Sequence, residues 1–198
     1  HYDLIDGVKR LTSIQDSLNR KITLTYSSEA DEGGDVISIA FPSTESADAE
    51  TQTIELHTHN LSTGDAVLSK IVYPDGENIS FEYSLYDGVC NYLNKKADED
   101  LLFQYALLEN VVYDSGAQIC YTYDSLDGRL GDSGHLKTYR ISEKSVYSAD
   151  SSGEALHKER YEYTGNYLDK SGSSKGDYKT TIFSGQNEEK AETYSFDP

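Results

Sequence analysis

One pattern recurs three times along the chain in a single register, and it restricts the fold more than any other feature. Leu68, Ile71, Tyr73, Gly76, Ile79, Phe81 and Tyr83 return forty residues later as Leu108, Val111, Tyr113, Gly116, Ile119, Tyr121 and Tyr123. Read from Leu11, the same offsets give Ile14, Asp16, Asn19, Ile22, Leu24 and Tyr26, with Asn in the place of Gly. Copies of one unit at fixed offsets make the chain a repeat. A repeated supersecondary unit builds a scaffold or an extended surface more readily than one deep catalytic site.

The second half of each copy places apolar residues two apart, as in Ile79, Phe81, Tyr83, which is the period of a strand with one buried face. Between the halves lies a turn, Pro74-Asp75-Gly76 or Asp114-Ser115-Gly116, where Gly or Asn supplies the positive φ that such turns require. Each unit therefore reads as a β-hairpin. Looser copies fill the remainder, giving hairpins at roughly 11–26, 36–58, 68–83, 108–123, 139–163 and 179–196. Acidic or polar loops separate them at Ser27 to Asp35, Ser43 to Glu50 and Lys170 to Asp177. The expected fold is all-β: one repeat region, 1–198, of sequential antiparallel hairpins forming an open curved sheet. Asn91 to Leu108 admits two readings. Acidic residues ahead of Leu101, Leu102, Tyr105 and Leu108 suit a short helical insertion, whereas Leu102-Phe103-Gln104-Tyr105 suits another strand.

Tyr121-Thr122-Tyr123-Asp124, followed by Gly128-Arg129-Leu130, resembles the tyrosine-aspartate signature of the YD-repeat, or RHS-repeat, family. Leu68 to Tyr83, with Tyr73-Pro74-Asp75-Gly76, is similar to the other half of that motif. The long acidic insertions and the irregular spacing after Gly131 depart from the family pattern. The resemblance implies a segment of a large secreted or surface-displayed protein, in which many hairpins coil into a shell or present an adhesion region. It places the chain outside the cell or on its surface, with neighbouring repeats of the parent protein as partners.

Composition narrows the partners. A formal net charge of −18 opposes nucleic acid, whose binding is driven by Lys and Arg that release phosphate counterions. It also disfavours anionic membranes, and no run of roughly 18 apolar residues is present to span a bilayer. No positively charged start followed by an apolar segment is present, so any leader has been removed or lies upstream. With 17 Tyr, 5 Phe and neither Trp nor Met, ring packing falls to tyrosine, which suits a sheet wet on one side.

No residue set points to a reaction. There is no Gly-x-Ser-x-Gly, no phosphate loop and no nucleophile with a nearby base, and His135 stands alone. No catalytic residue and no cofactor is assigned. Glu55, His57 and His59 alternate on one strand and share its outer face, where two imidazoles and a carboxylate suit zinc, but a solvated face is the plainer reading. Asp31-Glu32-Gly33-Gly34-Asp35 offers hard oxygen ligands without the spacing of a calcium loop, and reads more simply as a solubilising charged loop. No metal site is assigned. Cys90 and Cys120, one pair, leave both a disulfide and two free thiols open. Tyr86, Tyr92, Tyr147 and Tyr167 fall at hairpin ends or insertions, where planar rings can stack on glycans or cell-wall polymers, or simply cover sheet edges.

Overall fold

The computed structural model describes residues 1–28, 33–42, 51–90, 101–130, 134–150, 153–164, 178–185 and 190–196. Tyr92 and Tyr167, the acidic loops at 43–50 and 170–177, and Asp31 and Glu32 lie outside the described residues. Two compact units, His1–Phe81 and Glu82–Pro198, make up the chain. No helix occurs among the described residues.

The first unit contains β1 (Tyr2–Ile5), β2 (Val8–Leu11), β3 (Ser13–Gln15), β4 (Lys21–Ser28), β5 (Asp35–Pro42), β6 (Thr51–Asn60), β7 (Ala66–Val72) and the start of β8 (Asn78–Cys90). Strands β1 and β2 form a separate hairpin, closed by Asp6 at φ 52° and Gly7 at φ 78°. Two successive positive φ angles are what a two-residue type I′ turn demands, and Asp-Gly meets that demand at low steric cost. This hairpin lies in the segment before Leu11, to which the repeat register assigns nothing. From β3 onward the strands hydrogen-bond in chain order, all antiparallel.

Within that order the apolar positions line up. Tyr26, Ile37, Leu56, Ile71 and Ile79 stand opposite one another from β4 to β8, and Leu24, Ile39 and Ile54 form a parallel row. All of these side chains are only half-buried. Cross-strand pairs, worth about 0.2–1 kcal/mol each, are therefore the main stabilising contacts in place of a deep core.

One spacing in the repeat does not fit a regular strand: Leu68 and Ile71 are three apart. A β-bulge between β6 and β7 accounts for it, because His57 faces Lys70 while Thr58 already faces Leu68. Ser69 is the extra residue, and its hydroxyl donates to the His57 carbonyl at 3.2 Å. A bulge restores the face after an odd step, so Leu68 and Ile71 return to the same side.

The second unit contains the rest of β8, then β9 (Leu101–Tyr113), β10 (Gln118–Leu130), β11 (Gly134–Tyr147), β12 (His157–Thr164), β13 (Tyr178–Ser184) and β14 (Lys190–Phe196). These too pair in chain order, with one addition: Leu136 and Lys137 of β11 pair with Cys90 and Val89 of β8. Of the two readings of 91–108, the helical insertion is corrected in its described part, since Leu101 to Leu108 belongs to β9. Phe103 and Tyr105 both meet the α-carbon side of Gly88. Alternate residues thus share a face, and the strand period prevails over the helix-like spacing of Leu101, Tyr105 and Leu108. A second bulge leaves Ser142 extra between Thr122 and Tyr123, and the hydroxyls of Thr122 and Ser142 lie 2.9 Å apart. Among the described residues, the buried hydrophobic side chains are Val111, Leu126 and Ala155, at 8%, 7% and 8% exposure.

The turns repeat as faithfully as the strands. In the first unit, Asn19 and Gly76 donate their N–H to the carbonyls of Asp16 and Tyr73, at 3.1 and 2.9 Å. In the second, Gly116 donates to Tyr113 at 2.8 Å. Their φ values are 62°, 89° and 85°, the left-handed residue of a three-residue hairpin loop. Leu61 to Asp65 closes the same way around Gly64.

Candidate functional site

In two copies of the repeat the end positions, Leu at the start and Tyr fifteen residues on, are in contact. Tyr26 donates its hydroxyl to the Leu11 carbonyl at 2.8 Å, and Tyr123 donates to Leu108 at 2.6 Å. Tyr163 donates to Ile141 at 2.7 Å across a longer loop. Each bond sits where a hairpin divides. Strands β9 and β10 pair at Asn110 to Val112 with Gln118 to Cys120, then separate as β10 pairs onward with β11. Strands β3 and β4 pair over the equivalent residues, Ser13 to Gln15 with Lys21 to Thr23. A dividing ladder strands backbone carbonyls, and a half-buried carbonyl without a partner costs about 1–3 kcal/mol. The tyrosine hydroxyl supplies the missing donor.

Two of these clasps carry a cation. The guanidinium of Arg10 lies 4.8 Å from the Tyr26 ring centre, and that of Arg140 lies 4.3 Å from Tyr163. In both, the arginine immediately precedes the residue whose carbonyl is clasped. Arg160 repeats the stacking on Phe183 at 4.3 Å, where phenylalanine has no hydroxyl to donate. Such stacking adds about 0.5–1 kcal/mol at partly exposed sites.

Among the described residues, strands β8 to β11 gather the largest aromatic group. Tyr86 packs edge-on against Tyr139 and Tyr123, with ring centres 4.9 and 5.8 Å away. Tyr105 meets Phe103 at 4.8 Å and Tyr139 at 5.9 Å. Tyr139 donates to the Asp87 carbonyl at 2.7 Å. Gly88 makes this packing possible. A β-carbon there would lie 2.6 Å from Tyr105 Cε2 and 2.9 Å from Phe103 Cε2.

Tyr86, a candidate ligand contact, is half-buried in this group, and its hydroxyl donates to Glu109 at 2.7 Å. That hydrogen bond, helped by burial, pushes the Tyr86 hydroxyl up to about 12. Tyr147 is half-buried at the end of β11, opposite Gln118. The more exposed tyrosines are others: Tyr73 and Tyr113, at one repeat position and 36% and 37% exposed, and Tyr194 and Tyr2. The shared offset of Tyr73 and Tyr113, immediately before the turn, was the signal in the sequence that could have found them.

On the polar face of β6, Glu55 and His57 make an ion-pair contact at 3.4 Å. Among the described residues, no group of three or more His, Cys, Asp or Glu side chains is placed to hold a metal ion. Cys90 and Cys120 are free thiols, and burial is the main cause that raises the Cys120 thiol. Strands β11 and β12 share a charged network. Glu143 accepts from Ser145 at 2.7 Å and pairs with Lys158 at 3.2 Å. Glu159 accepts from Tyr161 at 2.7 Å and pairs with Lys144 and His157, each at 3.3 Å. Donated hydrogen bonds and neighbouring cations hold both carboxyls below the ordinary carboxylate value. Each carboxylate has an evident ion-pair partner, so the network reads as a cross-strand fastening.

No protein-family model matches the chain, and no curated protein matches it.

Proposed function

We propose that the chain is a non-catalytic scaffold segment of a YD-repeat protein, contributing its hairpins to a shell or to an array displayed outside the cell. The observation that carries this reading is the tyrosine clasp, which occurs at Tyr26 and Tyr123, the end positions of two repeat copies, and again at Tyr163 beyond the regular register. A device repeated at three hairpin divisions serves architecture, since catalysis needs one unique constellation. Half-buried apolar rows fit the same role, because a sheet built to continue into neighbouring repeats gains cover from them. The partners on this reading are those neighbouring repeats.

The test is to read the parent reading frame on both sides of the chain, then produce the chain with one flanking hairpin attached. The reading expects further Leu and Tyr pairs at the same offset, and a urea midpoint raised by the added hairpin. Flanking sequence without such pairs would overturn it.

A second reading is a module that binds carbohydrate or a cell surface through exposed tyrosines. It is favoured by Tyr73 and Tyr113, both exposed at the same repeat position. Titration calorimetry against a panel of glycans and cell-wall polymers tests it, and silence at millimolar ligand rejects it.

A further inference from the structure

Two segments of the chain match the acceptor triplet for asparagine-linked glycans, Asn-x-Ser with x other than Pro: Asn60-Leu61-Ser62 and Asn78-Ile79-Ser80. Their surroundings differ. Asn60 is the last residue of β6 and is exposed, and Leu61 and Ser62 lead into the turn closed by Leu61, Gly64 and Asp65. Ser62, whose hydroxyl the transfer requires, is exposed as well. Asn78, Ile79 and Ser80 are instead half-buried in β8, paired residue by residue with Val72, Ile71 and Lys70.

We infer that Asn60, and not Asn78, is a site of N-linked glycosylation, with a lipid-pyrophosphate-linked oligosaccharide as the donor. In the transfer, the Asn60 amide nitrogen forms a bond to the anomeric carbon of the first sugar. The bond from that carbon to the pyrophosphate oxygen breaks, and one amide proton leaves with the lipid pyrophosphate. The Asn60 amide donates one N–H to the Gly33 carbonyl. A primary amide has two N–H groups and the glycosylated amide keeps one, so this tie to the backbone two residues before β5 is compatible with the modified residue. A glycan on Asn60, exposed at the last pair of β6 opposite Ala66 and next to the turn, projects into solvent, whereas one on Asn78 has to displace half-buried surroundings.

The occurrence of this glycan in the source cell rests on the extracellular reading above, but the acceptor itself is testable without it. The full chain is expressed behind a cleavable secretion leader in cells with an oligosaccharyl transferase, and the secreted, folded protein is analysed by peptide mass spectrometry after enzymatic deglycosylation. The expected result is one glycan, at Asn60, lost in both Asn60→Gln and Ser62→Ala and retained in Ser80→Ala. Circular dichroism of each variant confirms that the strands form. An unmodified Asn60, or a glycan on Asn78 in folded protein, overturns the proposal. Failure here leaves the scaffold reading intact, because the leader imposes secretion whatever the native location.

Discussion

The hydroxyl of Tyr123 reaches the carbonyl of Leu108 at 2.6 Å just beyond the last backbone pair between their strands, Asn110 opposite Cys120. A side chain takes over there from the ladder. Replacing Tyr123 with Phe keeps the ring in its packing and removes only the donor. The expected cost is about 1–2 kcal/mol, from one net hydrogen bond and a carbonyl left in a half-buried site. Urea unfolding should show a lower midpoint with an unchanged slope. Tyr26→Phe should behave alike, and an unchanged midpoint in both would mean that water serves those carbonyls equally well.

The glycines divide into two kinds, and alanine at each distinguishes them. At Gly88 a β-carbon runs into the rings of Phe103 and Tyr105, so Gly88→Ala should cost about 1–3 kcal/mol by overpacking. At Gly76 nothing lies within 4 Å of that β-carbon, but φ is 89°, so Gly76→Ala should cost about 1–2 kcal/mol through backbone strain alone. At Gly34 the β-carbon would fall 1.7 Å from the Thr58 carbonyl oxygen, and a backbone atom cannot swing aside as a ring can. Thermal unfolding of the three variants should rank Gly34→Ala as the most damaging.

Asn19 holds the left-handed position that Gly76 and Gly116 hold elsewhere. Asn19→Gly should leave stability within about 0.5 kcal/mol, whereas Asn19→Ala should cost about 1 kcal/mol. Part of the Ala effect is loss of the bond between the side chains of Gln15 and Asn19, 3.0 Å apart. Equal losses in both variants would show that the side chain matters more than φ.

The Tyr86 hydroxyl, hydrogen-bonded to Glu109, is held up to about 12. A group whose folded value lies above its unfolded value contributes stability that is complete below the unfolded value. For tyrosine that value is near 10, and the contribution is lost as pH rises through about 12. Tyrosinate absorbance against pH should therefore contain a late step that moves downward in Glu109→Gln. A titration curve that does not change with this substitution would show that Glu109 does not hold the proton.

The carboxyls of Glu143 and Glu159 behave oppositely. Both are depressed, Glu143 first by the Ser145 hydroxyl and Glu159 first by the Tyr161 hydroxyl. Stability from a depressed carboxylate is present above its unfolded value and disappears as pH falls through the folded one. The stability gap between the native chain and Glu159→Gln should be widest at neutral pH and close on acidification below about pH 4. A gap that is constant with pH would mean that the effect comes from packing.

The sequence pattern led directly to the hairpins because Leu, Gly and Tyr recur at fixed offsets, and the physical causes of those offsets are local: a left-handed turn residue and a strand alternating between two faces. It led less directly elsewhere. The step of three from Leu68 to Ile71 looks irregular until the bulge at Ser69 accounts for it. A bulge depends on the neighbouring strand, which the local pattern does not contain. Asp6-Gly7 is a readable turn, but it precedes the repeat register and so falls outside that pattern. The grouping of Tyr86 with Phe103, Tyr105, Tyr123 and Tyr139 depends on packing among β8 to β11, including the extra pairing of β11 with β8. Such long-range contact leaves no mark in the spacing of any one strand, so Tyr86 read as a candidate ligand contact.

The clasp of Tyr163 on Ile141 spans 22 residues, whereas those of Tyr26 and Tyr123 span 15. Seven residues more in the connection leave the bond length at 2.7 Å. Closure of the hairpin base is thus independent of the length of its tip, and each tip becomes a place where foreign peptide can be grafted, lengthened or diversified while the frame beneath holds its geometry.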